Sequence, residues 1–229
     1  MKHYRSSIPK AARERVVATH ITGPQKYMTR CTLNGEVVGV RYFYETGELL
    51  AERPLRNGLR HGIQYDTVAP GELLSAEPHF NGLPHGVAKQ FDNGNLIGTY
   101  TMKHGTGLDL WRGVDPDEGI PRLYEARYLK DGKWHGFEWW LDHHDQTRVW
   151  QECHYWNDQR HGIDRWWNFD GRLRRGYPKY WVHDQRVTKR KYLRASAKDP
   201  TLPPFREKDN HPQRRFPPEV AAHCVRRPR

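Results

Sequence analysis

One short motif returns along the chain at near-constant spacing. It reads NGEVVG from Asn34, NGLRHG from Asn57, NGLPHG from Asn81, DGKWHG from Asp131 and NDQRHG from Asn157, and a shortened copy, HGTG from His104, occupies the one gap. The starts lie 23, 24, 23, 27 and 26 residues apart. A period of that size means that like units stack side by side, each burying surface its neighbour would otherwise expose. Six units run from Asn34 to Trp181, and VHDQRVTKRKY after them reads as a decayed seventh.

A second pattern lies inside each unit. Gly39 is followed by Tyr44 and Gly47, Gly86 by Phe91 and Gly94, and Gly162 by Trp167 and Gly171. An aromatic residue, a glycine-centred turn and a second run of similar length describe a β-hairpin. Stretches such as GVRYFY, GFEWWL and GIDRWW are rich in the β-branched and aromatic side chains that suit a pleated surface. The expected fold is therefore all-β: an elongated antiparallel sheet of about six tandem β-hairpins, with short non-repeat caps at both ends.

Composition agrees with a thin sheet. Only 36% of residues are apolar, yet 28 are aromatic (9 Trp, 12 Tyr and 7 Phe), and mean hydropathy is -0.99. A disordered chain would be poor in rings, so the pairing points to order without a deep interior. Cys31, Cys153 and Cys224 are odd in number and share no close spacing, so neither a disulfide framework nor a cysteine metal site is expected. No signal-peptide or membrane-spanning run is legible, and a cytoplasmic setting is the expectation.

The net charge of +11 is not spread evenly. Residues 1 to 30 carry +6, residues 31 to 182 carry -3 and residues 183 to 229 carry +8. Phosphate contact is confined by this to the two ends, and nucleic acid lying along the repeats is disfavoured. The expected organisation is a basic N-terminal cap over residues 1–33, repeats over 34–181 and a basic, proline-rich C-terminal tail or cap over 182–229. SSIPKAARERVVATH is expected to hold a short helix from about Pro9 with Ser6 or Ser7 as its cap, and PPEVAAHC one helical turn in an otherwise extended tail.

The pattern Asn/Asp-Gly-x-x-His-Gly, an aromatic residue about five positions on and then Gly-x-Leu resembles MORN-type repeats. It is closest to the variant in bacterial proteins of the YwqK-like antitoxin family. The resemblance covers about residues 34 to 181; Val38-Gly39 replaces His-Gly in the first copy, two residues are missing at Thr106-Gly107, and RGVDPDEGIP lengthens a later turn. It implies a bacterial antitoxin or immunity-like protein that neutralises a protein partner, a toxin, by covering it. MORN-like repeats are also linked to lipid surfaces, so anionic lipid bound through the basic ends is the alternative.

His61, His85, His135 and His161 occupy equivalent positions, but copies two strands apart lie roughly 9–10 Å from one another, too far to share an ion held at about 2.1 Å. Each is expected to bond a neighbouring loop or pack on a ring. Gly58 and Gly82 follow Asn57 and Asn81 in tight turns, and Gly62, Gly86, Gly136 and Gly162 open the next run; neither phosphate-loop spacing is present and no helix follows. Asp142-His143-His144-Asp145 reads as a polar turn. No catalytic motif, metal set or cofactor fingerprint stands out, and a non-enzyme is the expectation.

The tryptophans carry more. Eight of nine lie between Trp134 and Trp181. Trp139-Trp140 and Trp166-Trp167 are adjacent, and neighbours in a strand point to opposite faces, so both faces there hold an indole. One face can be core beneath a terminal segment while the other contacts a partner; alternatively both are covered, or the rings form structural ladders. Trp139, Trp140, Trp156, Trp166 and Trp167 are the candidate contacts of a protein-binding scaffold.

Overall fold

The structure, a computed structural model, describes residues 1–19 and 25–224. The expected terminal segments 1–33 and 182–229 therefore extend in part beyond the described residues. Two compact units divide the chain at Gly105/Thr106, inside the stretch read as continuous repeats.

The first unit carries β1 (Arg13–Thr19), β2 (Tyr27–Leu33), β3 (Glu36–Phe43), β4 (Leu49–Arg56), β5 (Leu59–Arg60), β6 (Gly62–Ala69), β7 (Glu72–Phe80), β8 (Leu83–Pro84), β9 (Gly86–Asp92) and β10 (Asn95–Met102). The second carries β11 (Gly107–Val114), β12 (Pro121–Lys130), β13 (Lys133–Leu141), β14 (Val149–Trp156), β15 (Gln159–Arg160), β16 (Gly162–Trp166), β17 (Lys179–Val182) and β18 (Gln185–Val187). Helix α1 (Lys189–Ser196), a 3₁₀ turn at Glu207–Asn210 and the single turn α2 (Pro218–Ala221) follow. Each unit is one antiparallel sheet whose strands neighbour one another in chain order.

The all-β expectation holds, but a single sheet does not form. One sheet has ten strands and ends at β10; the other has eight and begins at β11. The break falls at the shortened copy. In NGLRHG, NGLPHG and NDQRHG the two central residues are β5, β8 and β15, which pair back on the strand before the turn. HGTG lacks those two residues, and β10 and β11 are not paired.

Pro9 does not start a helix. Residues 13–19 form edge strand β1, paired with β2. Val16, Val17 and Thr19 favour extended backbone, and the pairing overrides the helix propensity of the preceding alanines. Its Arg13, Glu14 and Arg15 are the charged residues that keep an edge from pairing further. At the other end, α2 falls where one helical turn was expected, whereas α1 falls in residues read as a failing repeat. His183-Asp184 does close the β17–β18 hairpin, and Thr188 then caps α1 by accepting from the Lys191 amide at 3.3 Å. Tyr192 of α1 is buried against Ile163, Tyr180 and Leu202. That tertiary burial fixes the helix.

Candidate functional site

The recurring motif is built as a tight turn stitched to its predecessor. Asn57 and Gly58, at φ 52° and 76°, close the two-residue loop between β4 and β5, and positive φ at both positions defines a type I′ hairpin turn. The second turn residue bonds back to the previous motif: Gly82 N–H reaches the Arg60 carbonyl at 2.8 Å, Gly105 that of Pro84 at 2.7 Å and Asp184 that of Arg160 at 2.9 Å. The first turn residue bonds the motif's histidine. The backbone N–H of His104 donates to Nδ1 of His85 at 3.1 Å, and that of His183 to Nδ1 of His161 at 3.2 Å. His61 leans on Phe80 at 5.1 Å between centroids, and His135 on Trp156 at 4.2 Å. Gly62, Gly86, Gly136 and Gly162 all have positive φ. The glycine after each histidine is thus where the backbone swings into the next strand.

In the second unit the two sheet faces differ. The face bearing Glu152 is covered by the C-terminal segment. Glu152, 3% exposed, accepts from Trp139 Nε1 at 2.9 Å, Arg165 Nη1 at 2.8 Å and Arg214 Nε at 2.7 Å. Burial opposes its ionisation, but the Arg214 hydrogen bonds and charge, with Arg165 and Trp139, outweigh that and hold the carboxyl below its ordinary range. Phe216 meets the Trp139 ring edge-on at 5.4 Å, and Trp167 donates its indole N–H to the Asn210 carbonyl at 2.7 Å. Trp167 is 1% exposed. It lies inside the unit and offers no contact surface.

The opposite face carries indoles. Cross-strand register aligns Trp111, Glu125, Trp140, Gln151 and Trp166 in one row and Asp109, Arg127, Glu138 and Cys153 in the next. Trp140 meets Trp150 at 5.4 Å and Trp150 meets Trp166 at 6.1 Å. The Arg174 guanidinium lies 4.0 Å from the Trp166 ring centre, Arg127 4.9 Å from Trp134 and Arg160 5.1 Å from Trp181. Of the candidate contacts, Trp140 and Trp166 belong to this face, Trp139 and Trp167 to the covered one, and Trp156 to the edge ladder of His135 and His161. The five do not form one patch.

Trp111, Trp134, Trp150 and Trp181 complete the indole face, and sequence reasoning did not single them out. Trp134 shares Trp140's parity along β13 and was legible. Trp150 was not: a bulge opposite Trp140 and Leu141 shifts the β13–β14 register and leaves Trp150 as the extra residue.

Beneath the rings lies a buried ionic row. Arg127 holds Asp109 at 2.7 Å and Glu125 at 3.1 Å, with Glu138 at 4.0 Å. Glu125 and Glu138 are each 6% exposed. Burial pushes the Glu125 carboxyl up to about 7; Arg127 opposes the rise, and the charges of Glu138 and Asp109 add to it. Burial raises Glu138 as well, again against Arg127. One guanidinium serves three carboxylates, so burial favours keeping a proton within the group as pH falls from neutrality.

A cluster of His161, His183 and Asp199 brings one donor atom from each within 4.8 Å of the others. Its hydrogen bonds fix the tautomer. Nδ1 of His161 accepts from a backbone amide, so Nε2 carries the proton and donates to Thr201 Oγ1 at 2.9 Å. That leaves His161 no lone pair for an ion. Asp142-His143-His144-Asp145 is a turn: Asp142 Oδ1 accepts from the amides of His144 and Asp145, and Asp145 Oδ1 from Thr147.

Among the described residues, no helix is long and apolar enough to cross a membrane. Set against known proteins, the chain matches no family model, no curated protein and no solved structure.

Proposed function

We propose that this chain is a non-catalytic, protein-binding scaffold built of stacked hairpin units, and that it meets its partner on the indole face of the second unit. The observation that carries the reading is the asymmetry of that sheet. The C-terminal segment buries Trp167 and sets Phe216 against the half-buried Trp139, while Trp140, Trp150 and Trp166 run as a half-buried ring ladder on the other side. Rigid indoles at the centre of a patch are the groups that dominate protein interfaces, because they bury large area at small entropic cost.

The narrower reading, neutralisation of a toxin, rests on the motif's resemblance to the antitoxin repeats. It is tested by expressing the product of the adjacent gene with and without this chain. Growth arrest by that product alone, relieved by this chain and not by a Trp140→Ser/Trp166→Ser double variant, supports it.

The scaffold reading is tested by titrating a captured partner against the same double variant and against Trp156→Ser. At least a tenfold loss in the first and little in the second is expected. Equal affinity for all three proteins overturns the indole face as the contact.

A further inference from the structure

A cavity of about 540 Å³ lies in the first unit, far in sequence from every tryptophan. Tyr65 and Phe91, both 2% exposed, belong to its lining, Val87 adds half-exposed apolar surface, and Lys2, Arg5 and Lys89 surround it. No carboxylate lines it. Among the described residues no ion pair reaches Lys2, Arg5 or Lys89, whereas Arg41 and Arg53 of the same sheet are matched with Glu52 and Asp66.

The wall that brings two of these cations is fixed. Tyr4 Oη donates to the buried Glu52 at 2.6 Å, Ser6 Oγ donates to it at 2.8 Å, and Tyr65 Oη donates to the Arg5 carbonyl at 2.9 Å while accepting from the Arg5 amide at 3.2 Å. His3 stacks on Phe91 at 4.9 Å. The backbone of Arg5 is thus held while its guanidinium is left over, and Lys89 projects from β9 of the sheet itself. A concave, largely apolar site of several hundred Å³ with a few polar groups at its rim is the form that small-molecule sites take.

We infer that this cavity binds a small organic phosphate, a planar or apolar body carrying a dianionic phosphoryl group. The body would lie against Ile63, Pro78 and Val87, beside the largely buried rings of Tyr65 and Phe91. Three unmatched cations answer a dianion better than a monoanion: the Arg5 fork accommodates two phosphoryl oxygens and the lysines act as point charges.

Phenyl phosphate is the probe, followed by chemical-shift changes in the backbone spectrum of the full chain, with inorganic phosphate and benzyl alcohol as its two halves. Saturable shifts at Tyr65, Ala76 and Lys89 are expected with phenyl phosphate, and at least tenfold weaker binding of either half. Lys89→Ala and Arg5→Ala should each weaken binding at least fivefold with the rest of the spectrum unchanged; Lys10→Ala, an exposed cation outside the cavity, should not. Absence of saturation, equal binding of inorganic phosphate alone, or indifference to both substitutions overturns the site.

Discussion

Glu52 and Glu152 stand nine residues before His61 and His161 and do the same work in the two units: each is a buried carboxylate on which a terminal segment of the chain is clasped to its sheet. Glu52 takes Tyr4 and Ser6 from the N-terminal segment and Arg41 from the neighbouring strand. Glu152 takes Arg214 from the C-terminal segment and Trp139 and Arg165 from the strands on either side. A buried carboxylate is tolerated only when its lone pairs are filled. The segment that fills them therefore closes one face of the sheet.

Glu152→Gln should release that clasp. Removing one member of a buried charge pair costs about 3–5 kcal/mol, because Arg165 and Arg214 are left without their counter-charge. Urea unfolding should show the loss, and limited proteolysis should cut the segment after Asn210 faster than in the parent protein. Unchanged cleavage would mean that Phe216 and Trp167 hold the segment without the carboxylate.

Gly39 tests the first clasp from the other side. A Cβ there would stand 2.6 Å from Ile8 Cγ1 and closer still to its Cδ1, and Ile8 is buried. Gly39→Ala is expected to expel Ile8 and cost about 1–3 kcal/mol as overpacking, with faster proteolysis of the N-terminal segment. Pairing it with Ile8→Ala should recover part of the loss.

Glu125 gives the protein a pH dependence of known sign. Its folded value of about 7 lies above its ordinary 4.5, so the folded state binds that proton more tightly than the unfolded one. Stability from this group is full below about pH 4.5 and falls as pH rises toward 7. Glu125→Gln removes the term. Its Tm should exceed the parent's at pH 8, by about 2–4 °C for each kcal/mol relieved, and the difference should vanish below about pH 4.5. A Tm difference independent of pH contradicts the assignment.

The His161 cluster should ignore zinc. Binding would require the proton on Nε2 to leave or move to Nδ1, where the His183 amide already donates. A tenfold molar excess of zinc should leave Tm within error, whereas occupation at a hundred times its dissociation constant would add about 2.7 kcal/mol. A clear rise in Tm, abolished by His183→Ala, would refute the tautomer argument.

The two adjacent tryptophan pairs should separate. Trp167→Ala empties a buried position and is expected to cost about 3–5 kcal/mol. Trp140→Ala removes a half-buried ring, should cost less, and should be the one that affects a partner. Denaturant midpoints of the two variants settle the comparison.

Local chemistry determined much of this protein. Asn57-Gly58 and its counterparts specify two-residue turns because both positions need positive φ, and the alternation of Trp139 with Trp140 assigns them to opposite faces because a strand's side-chain period is two. Both were legible from single stretches of sequence. What only the tertiary structure decided depends on contacts between residues far apart in the chain. Arg214 reaches Glu152 across 62 positions and so selects the face that holds Trp167 as the buried one. The bulge opposite Leu141 brings Trp150 onto the ladder, pairing with β2 turns a helix-prone segment into β1, and burial of Glu125, with Glu138 and Asp109 beside it, raises its carboxyl against the pull of Arg127. Strand period and turn geometry are written residue by residue, whereas burial and charge are properties of the assembled neighbourhood.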